Sequence, residues 1–329
     1  MRKIVFIIIA LFAISQNICA QGMTATLQSG DNLKVFYGID AFKEAYEAAK
    51  DGDQITLSAG TFNSSNESIS KSVKITGTGA FGVSNTTFPN AFSVTGKDVR
   101  IEGVVLKSFD VSGSSDLYVT RCWLESFSAD NSYTGAFFNE SVLRSVYGIQ
   151  FADGFTFKNC TVQGFNAGES VTIPNTNFGN IINCVIYDLS TQPYAIYKNN
   201  VIGDDFRGIL VSLEFQSSFF CHYPSEFYYN RFFSTTTYNV QIDYGSCLNE
   251  GNGKCSYMDI NAYPAYSKTG SYGNGTILPD GDDGTPVGIY GGSGFSPYPA
   301  IPRILSKSVD AYTNDEGKIN VKIEVKAEQ

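Results

Sequence analysis

Short runs in which apolar and polar residues alternate fill most of the chain and predict many short β-strands. The first strand is predicted at Gln54–Leu57, and others follow at 60–62 and 73–77. Glycine, asparagine, serine and aspartate separate the later runs, as they do at the turns of all-β proteins. The pattern therefore favours an all-β fold.

One segment has the period of an amphipathic helix. It reads AFKEAYEAAK at 41–50, with Asp40 as the predicted N-cap and Gly52 as the end. The apolar residues that fall on one helical face are Phe42, Ala45, Tyr46 and Ala49. We therefore expect a single short helix before the first strands.

Six later segments share a loose repeat. They lie at 99–106, 118–127, 155–165, 180–189, 195–204 and 227–233. Aligned on Val104, Cys122, Cys160, Cys184, Asn200 and Arg231, they are separated by 18, 38, 24, 16 and 31 residues. A parallel β-helix tolerates uneven steps, because a coil can carry a loop at one corner while its strands stay in register. Stacked coils bury together the inward face that one coil alone would expose.

Residues 38–80 resemble the start of right-handed parallel β-helix proteins of the pectin lyase-like superfamily. The resemblance lies in the helix followed by GDQITLSAGTF and SISKSVKITGTG, and it continues through the repeat to about residue 235. Residues 283–292 are similar to the closing segment of many bacterial members. The whole chain resembles exported proteins of Bacteroidota. The resemblance implies a single-stranded right-handed parallel β-helix with an N-terminal helical cap, but not one function.

Residues 1–20 have the pattern of a secretory signal peptide. Arg2 and Lys3 precede an apolar run at 4–14, and Ala20 ends a plausible cleavage site. The alternative is lipid attachment at Cys19, although the residues before it fit a lipobox poorly. We therefore predict an exported β-helix domain at 21–295, in the periplasm, on the cell surface or outside the cell.

The C-terminal part, residues 296–329, has its own pattern. Residues 296–302 are rich in proline and predict a stiff link. Residues 318–326 then alternate strictly between apolar and polar side chains, which predicts a strand. This strand is expected to pack back on the β-helix, and the alternative is donation to a partner or another subunit.

Composition and charge exclude several classes of function. The 329 residues are 43% hydrophobic and 17% charged, which is typical of a folded chain. The 23 basic and 32 acidic residues give a net charge of −9, which argues against nucleic-acid binding. One histidine argues against zinc enzymes and Ser-His-Asp hydrolases. No run after the signal peptide is long and apolar enough to predict an integral membrane protein.

The superfamily resemblance implies a search for polysaccharide hydrolase or lyase residues. Hydrolases of this kind use several aspartates, whereas the matching segment at 175–177 reads NTN and lacks the carboxylate. Lyases combine carboxylate-bound calcium with a basic residue. The best candidates for catalysis are Asp204, Asp205 and Arg207, with Arg231 in a flanking coil. The alternative is a solvated turn with a surface ion pair.

Tyrosines near prolines and glycines are candidates for stacking against sugar rings. They are Tyr223, Tyr228, Tyr257, Tyr263 and Tyr266. Core filling is the alternative for each. Cys247 and Cys255, joined by a loop rich in Gly and Asn, are the candidate disulfide. The acidic turn at 280–284 suits calcium only weakly, because no glutamate closes it as in a calcium-binding loop. No cofactor and no metal site are therefore predicted.

These observations predict an exported, non-catalytic β-helix protein that binds a polysaccharide, a glycoconjugate or a cell-surface partner. One alternative is a diverged polysaccharide lyase or glycoside hydrolase. The second alternative is a structural or adhesive surface protein.

Overall fold

A computed structural model describes residues 22–64, 68–81, 84–113, 115–130, 134–148, 153–166, 179–188, 195–205, 226–228, 231–233, 256–258, 281, 283–285, 288–296, 303–309 and 321–326. These residues form an all-β parallel β-helix, which confirms the predicted fold class. In this described part of the chain, no helix is long and apolar enough to cross a membrane.

The strands of successive coils stack into three faces. The first face contains β1 (Thr24–Ser29), β2 (Asn32–Tyr37), β3 (Gln54–Leu57), β5 (Lys74–Thr76), β7 (Arg100–Glu102), β9 (Ser115–Thr120), β12 (Thr134–Asn139), β15 (Asp153–Lys158), β18 (Gly179–Ile182), β20 (Ala195–Lys198) and β22 (Glu226–Tyr228). The second face contains β4 (Gly60–Thr61), β10 (Trp123–Leu124), β13 (Val142–Leu143), β16 (Thr161–Val162), β19 (Val185–Asp188), β21 (Val201–Asp205), β23 (Arg231–Phe233) and β24 (Ser256–Met258). The third face contains β11 (Phe127–Ala129), β14 (Val146–Tyr147) and β17 (Phe165–Asn166). Two longer strands, β6 (Thr86–Val94) and β8 (Val105–Val111), run through both the second and the third face.

A hairpin and a helix close the N-terminal end. β1 pairs antiparallel with β2 and with β3, and the alternating pattern does not predict either pairing. Helix α1 (Ala41–Ala48) confirms the predicted amphipathic segment, and its Phe42 ring lies 4.9 Å from the Phe88 ring. Asp40 begins the helix as predicted. Its carboxylate accepts a hydrogen bond from Asn63 Nδ2 at 2.8 Å and caps no helix N–H.

Apolar side chains stack in columns inside the β-helix. The column on the first face consists of Ile55, Ile75, Ile101, Val119, Phe138, Phe157, Ile181 and Tyr197, all fully buried or nearly so. The rings of Phe138 and Phe157 stack at 4.7 Å, and Phe127 meets Phe138 edge-on at 5.0 Å. The coils therefore share one continuous core.

A left-handed backbone turn joins the first and second faces in each of six coils. Its residues have φ between 49° and 67°, and they are Gly103, Arg121, Glu140, Asn159, Asn183 and Asn199. Glycine and asparagine adopt this conformation most readily. The buried residues that directly follow the turn are Val104, Cys122, Ser141, Cys160, Cys184 and Asn200. The Asn-Cys repeat in the sequence therefore marks a corner, not the middle of a strand.

The alignment of coils predicted from the sequence is wrong at two points. The step of 38 residues between Cys122 and Cys160 contains an additional coil, which turns at Glu140. This coil is not recognised in the sequence, because it has glutamate at the turn, where the aligned segments have Asn, Arg or Gly. Arg231 pairs with Val201, so it lies one residue beyond the column that includes Asn200.

The residues that follow the left-handed turn form a corner column, which makes hydrogen bonds both within and between coils. The described cysteines in it are Cys122, Cys160 and Cys184, all free thiols. The Ser141 hydroxyl donates to Asn139 O at 2.8 Å and accepts from the Cys122 N–H at 3.1 Å. The Cys122 thiol likewise donates to Thr120 O at 3.2 Å, and burial raises the pKa of this thiol to about 12. Cys122 thus acts as a small, protonated packing residue.

Serine should replace cysteine in this column at little cost. We expect Cys122→Ser to change the free energy of unfolding by less than about 1 kcal/mol, because Ser141 already makes the same pair of hydrogen bonds one coil away. Cys122→Leu should cost about 1–3 kcal/mol, because the column has no room for a longer side chain. Urea denaturation measures both variants, and equal losses would show that the thiol itself is required.

A segment near the C-terminus, residues 288–296, lies along the outside of this corner; we call it the corner strap. The Asn159 Nδ2 donates to two strap carbonyls, at 3.1 and 2.7 Å. The N–H of Ser296 donates to Glu140 Oε2 at 2.8 Å. The strap begins with a 3₁₀ turn at Gly288–Tyr290, whose first N–H donates to Asn199 O at 2.7 Å. One segment therefore ties several coils together.

The corner strap also covers apolar side chains that point outward from the second face. This outer cluster contains Ala80, Phe81, Val105, Trp123, Val142, Val185 and Ile289, with Tyr290 and Phe295 packed against it. The Phe81 ring lies 5.7 Å from the Phe295 ring and 6.3 Å from the Trp123 ring. The second face is thus buried on both sides over these coils.

The predicted C-terminal strand is confirmed as β26 (Val321–Lys326), which pairs antiparallel with β25 (Arg303–Val309). Val321 and Ile323 on β26 are 56% and 53% exposed. Packing of this pair on the β-helix remains a prediction.

Candidate functional site

An open groove runs along the corner between the second and third faces; we call it the polar groove. Its volume is about 510 Å3. It is lined by Lys107, Glu125, Ser126, Arg144, Ser145, Gln163 and Gly164. Most lining side chains carry a charge, an amide or a hydroxyl group, so the groove can bind a polar ligand.

The polar groove is built by repetition of one coil position. The residues at that position are Lys107, Glu125, Arg144 and Gln163, and they directly follow the buried residues Leu106, Leu124, Leu143 and Val162. Neighbouring parallel strands lie about 4.8 Å apart, so this row of side chains extends over roughly 14 Å. The row follows the helix axis.

The backbone beneath the groove is used in the ladder between coils. The N–H groups of Glu125, Arg144 and Gln163 donate to carbonyls of the preceding coil at 2.9, 2.9 and 2.8 Å. At these residues, a ligand therefore has to be contacted by the side chains and not by the backbone N–H groups. Arg144 Nε donates to Gln163 Oε1 at 3.2 Å, which orients both side chains along the row.

The groove combines donors and acceptors within a short distance. Lys107 and Arg144 only donate, Glu125 only accepts when ionised, and Gln163 and the serine hydroxyls do both. This set matches a ligand with many hydroxyl groups. Glu125 is the one carboxylate among the described lining residues, whereas glycoside hydrolysis ordinarily uses two.

In the strand register, the same corner continues into the coils that contain the predicted catalytic residues. Ile186 pairs with Val162 and Ile202 pairs with Ile186, so the positions that follow Gln163 along the row are those of Tyr187 and Gly203. Asp204 and Asp205 come next in the chain, at the end of β21. Asp188 and Asp205 are direct partners in the parallel ladder. The predicted aspartates and the polar groove therefore share one corner.

Arg231 does not share the register of these aspartates. It pairs with Val201, three residues before Asp204, which corresponds to roughly 10 Å along the strand. Arg207 lies outside the described residues. The proposed grouping of Arg231 with the aspartates has no support from the register and remains a prediction.

The other predicted sites fall mainly outside the described residues. The backbones of Tyr228 and Tyr257 lie in β22 and β24. Tyr223, Tyr263, Tyr266, Cys247 and Cys255 lie outside the described residues, so the tyrosine surface and the disulfide remain predictions. No group of three or more potential metal ligands occurs among the residues that the structure describes. In the acidic turn, Asp283 Oδ1 accepts hydrogen bonds from the N–H and the hydroxyl of Thr285, at 2.9 and 2.7 Å.

The sequence carries a signal for the polar groove that a search for paired aspartates misses. The four coils read LKSF, LESF, LRSV and VQGF, starting at residues 106, 124, 143 and 162. In each, a buried aliphatic residue precedes a charged or amide residue, then Ser or Gly, then a residue of the third face. When the four segments are aligned in register, the second residue of each belongs to the row.

A second exposed feature lies on the outer surface of the first face. Arg100 lies over the ring of Tyr118 at 4.8 Å, and the rings of Tyr118 and Phe137 are 6.2 Å apart. These rings pack on one another along the axis. Tyr118 is 37% exposed, and Phe137 is half-buried.

Comparison of the chain with protein-family models, with curated protein sequences and with solved structures gives no match.

Proposed function

We propose that this protein is an exported, non-catalytic β-helix protein of the pectin lyase-like type that binds a glycan or glycoconjugate along the polar groove. The observation that carries the proposal is the row of hydrogen-bonding side chains from Lys107 to Gln163, repeated at one position of successive coils. A linear polymer with a regular repeat is the natural ligand for a regular row.

The physical case rests on matched chemistry. Sugar chains present hydroxyl groups at regular intervals, and Lys, Arg, Glu and Gln side chains pair with them through donors and acceptors. The groove is open along its length, so a long polymer can enter from the side. Its mixed charge suits a neutral chain, because Glu125 lies between two cations.

Removal of one groove cation should weaken glycan binding. We expect Arg144→Ala to reduce the retardation of the mature protein in native gels that contain the recognised polysaccharide, because both its own hydrogen bonds and the orientation of Gln163 are lost. One such charged hydrogen bond is worth about 1.5–3 kcal/mol, which corresponds to at least about tenfold in affinity. A panel of plant, host and bacterial polysaccharides supplies the candidate ligands.

Lys43→Ala is the matched control, because it also removes one positive charge. Lys43 lies on α1, where it pairs at 3.9 Å with Glu47, and it is not a lining residue of the groove. Its retardation should equal that of the unchanged protein. Equal retardation of Arg144→Ala and the unchanged protein would contradict groove binding.

A diverged lyase or hydrolase is the second candidate, because Asp188 and Asp205 are direct partners at the same corner. Such an enzyme would release new reducing ends from a polysaccharide, with calcium present for a lyase. Release that disappears in Asp205→Ala would establish catalysis and displace the proposal of binding alone. No release alongside measurable retention would support binding.

A further inference from the structure

The polar groove presents the same kinds of residue in each of four coils. From the last buried residue of the second face, these coils read LKSF, LESF, LRSV and VQGF, starting at residues 106, 124, 143 and 162. The second residue is Lys, Glu, Arg or Gln, the third is Ser or Gly, and the fourth is buried in the core. Each coil therefore offers a ligand one long polar side chain beside one small residue.

The row of long side chains runs without an offset, because the strands on both sides of the corner keep their register. The residues in register are Leu106, Leu124, Leu143 and Val162 on the second face, and Phe109, Phe127, Val146 and Phe165 on the third. Successive positions of the row are therefore one coil apart, which is about 4.8 Å. A ligand that lies along the row meets a new long side chain at each such step.

Irregular corners limit the length of the row. In the coil that precedes it, strand β6 has one residue more than β8 at this corner, so the register shifts between Phe88 and Ala91. Beyond Gln163 the register holds for one more coil and then shifts between Ile186 and Asp188. The regular row therefore consists of four coils whose side chains are described, and at most one more.

We propose that the groove binds an extended, neutral chain of β-1,4-linked pyranose sugars, with one sugar to each coil. This inference rests on the proposed glycan-binding function and specifies the class of polymer. A pyranose ring linked through equatorial bonds at opposite ends has a repeat close to the coil spacing of about 4.8 Å. Successive sugars can therefore meet successive long side chains in the same way. A chain with an axial link curls away from a regular row after a few sugars.

The charges of the row favour a neutral chain. Lys107 and Arg144 lie two coils apart, and Glu125 lies in the coil between them. A polymer with a carboxylate on every sugar would place one of its charges against Glu125, and opposed like charges are unfavourable. Hydroxyl groups accept hydrogen bonds from the two cations and donate to the carboxylate. Each coil can therefore bind the same neutral sugar.

Oligosaccharides of increasing length test the match between sugar and coil by isothermal titration calorimetry. The probes are cello-, manno- and xylo-oligosaccharides of two to eight sugars, all neutral and β-1,4-linked. For at least one series, the affinity of the protein without residues 1–20 should rise roughly two- to tenfold with each sugar, because each coil adds a hydrogen bond. The affinity should stop rising once four or five sugars fill the regular row.

Malto-oligosaccharides are the matched control for linkage, because they contain the same glucose as cello-oligosaccharides but have an axial link. Their affinity should not rise in this way. Lys107→Ala, at the first position of the row, should make the affinity level off one sugar earlier, and unchanged binding of the shortest probes would show that this variant folds. Lys43→Ala on α1 removes the same charge outside the groove and should leave the length dependence unchanged.

The outcomes separate this inference from the proposed function. If malto-oligosaccharides or charged oligogalacturonates bind with rising affinity, and Arg144→Ala abolishes that binding, the inference is overturned but glycan binding in the groove stands. An affinity that does not depend on length, or that levels off at the same length in Lys107→Ala, would also overturn the assignment of one sugar to each coil. Binding of no oligosaccharide or polysaccharide would overturn both the inference and the proposed function.

Discussion

Replacement of Phe138 by alanine is expected to lower the free energy of unfolding by roughly 3–5 kcal/mol. Phe138 is fully buried, and its ring stacks on Phe157 at 4.7 Å and receives the edge of Phe127 at 5.0 Å. The backbones of three coils fix these contacts, so the cavity cannot close readily. Denaturation by guanidinium, followed by circular dichroism, measures the loss.

The adjacent residue is a matched control for this prediction. Phe137→Ala removes the same ring from the outer surface of the first face, where Phe137 is half-buried and contacts Tyr118 at 6.2 Å. The loss should be clearly smaller, because less apolar surface returns to water on unfolding. Equal losses in the two variants would contradict the assignment of inward and outward positions on this face.

Replacement of Arg121 by asparagine is expected to lower the free energy of unfolding by about 3 kcal/mol. Arg121 donates to Glu140 at 3.0 Å and to Glu102 at 3.2 Å, and its side chain is 14% exposed. The substitution leaves the Glu140 carboxylate, 8% exposed, without its cation, and Glu102 keeps the longer contact to Lys74 Nζ, at 3.8 Å. Asparagine is used because it adopts the left-handed turn readily, as Asn159 does in the same column, so backbone strain does not contribute.

Arg100→Asn provides the comparison on the surface. Arg100 pairs with Asp98 at 3.0 Å, but both side chains are about half exposed, at 55% and 48%. Exposed pairs of this kind contribute about 0–1 kcal/mol. If thermal or chemical denaturation showed the same small loss for both variants, the network at Arg121 would not stabilise the corner. A large loss in Arg121→Asn but not in Arg100→Asn would support stabilisation of the corner by the network at Arg121.

Much of the fold follows from local patterns. The alternating runs predict strand β3 at its observed bounds, and the helical period predicts α1. The hairpin of β1 and β2 is missed, because β2 has only one buried residue and no alternation in burial, although β1 does alternate. The coil at Glu140 is missed because a buried ion pair with Arg121 replaces the asparagine that marks other corners. Long-range contacts, not local preference, allow glutamate there.

The candidate site also depends on long-range contacts that local sequence patterns do not show. The polar groove draws one residue from each coil, at positions 107, 125, 144 and 163, and no two of them are close in sequence. Only the register brings them into a row, and that register depends on the coil that the alignment omits. The predicted aspartates at 204 and 205 were found because they are adjacent in the chain. Their place beside the groove comes from the pairing of β19 with β21.

The corner strap could not be inferred from its own sequence. Residues 288–292 read GIYGG, and they dock because Asn159 offers its side-chain amide to strap carbonyls 130 and 132 residues further along the chain. Gly292 adopts a φ of 57°, and a Cβ there would lie 2.7 Å from Asn183 Nδ2. The glycine is therefore required by its close approach to the corner.

The most direct test of the proposed function compares retention and cleavage in one sample. The protein without residues 1–20 and its double variant Lys107→Ala with Arg144→Ala are run in native gels that contain each polysaccharide of the panel. The reducing ends in each gel are then measured. Lys34→Ala with Lys43→Ala gives a control that removes two positive charges elsewhere. The account predicts retention by one class of polymer, its loss in the groove variant alone, and no increase in reducing ends. Retention by no polymer, or equal retention by both double variants, would contradict it.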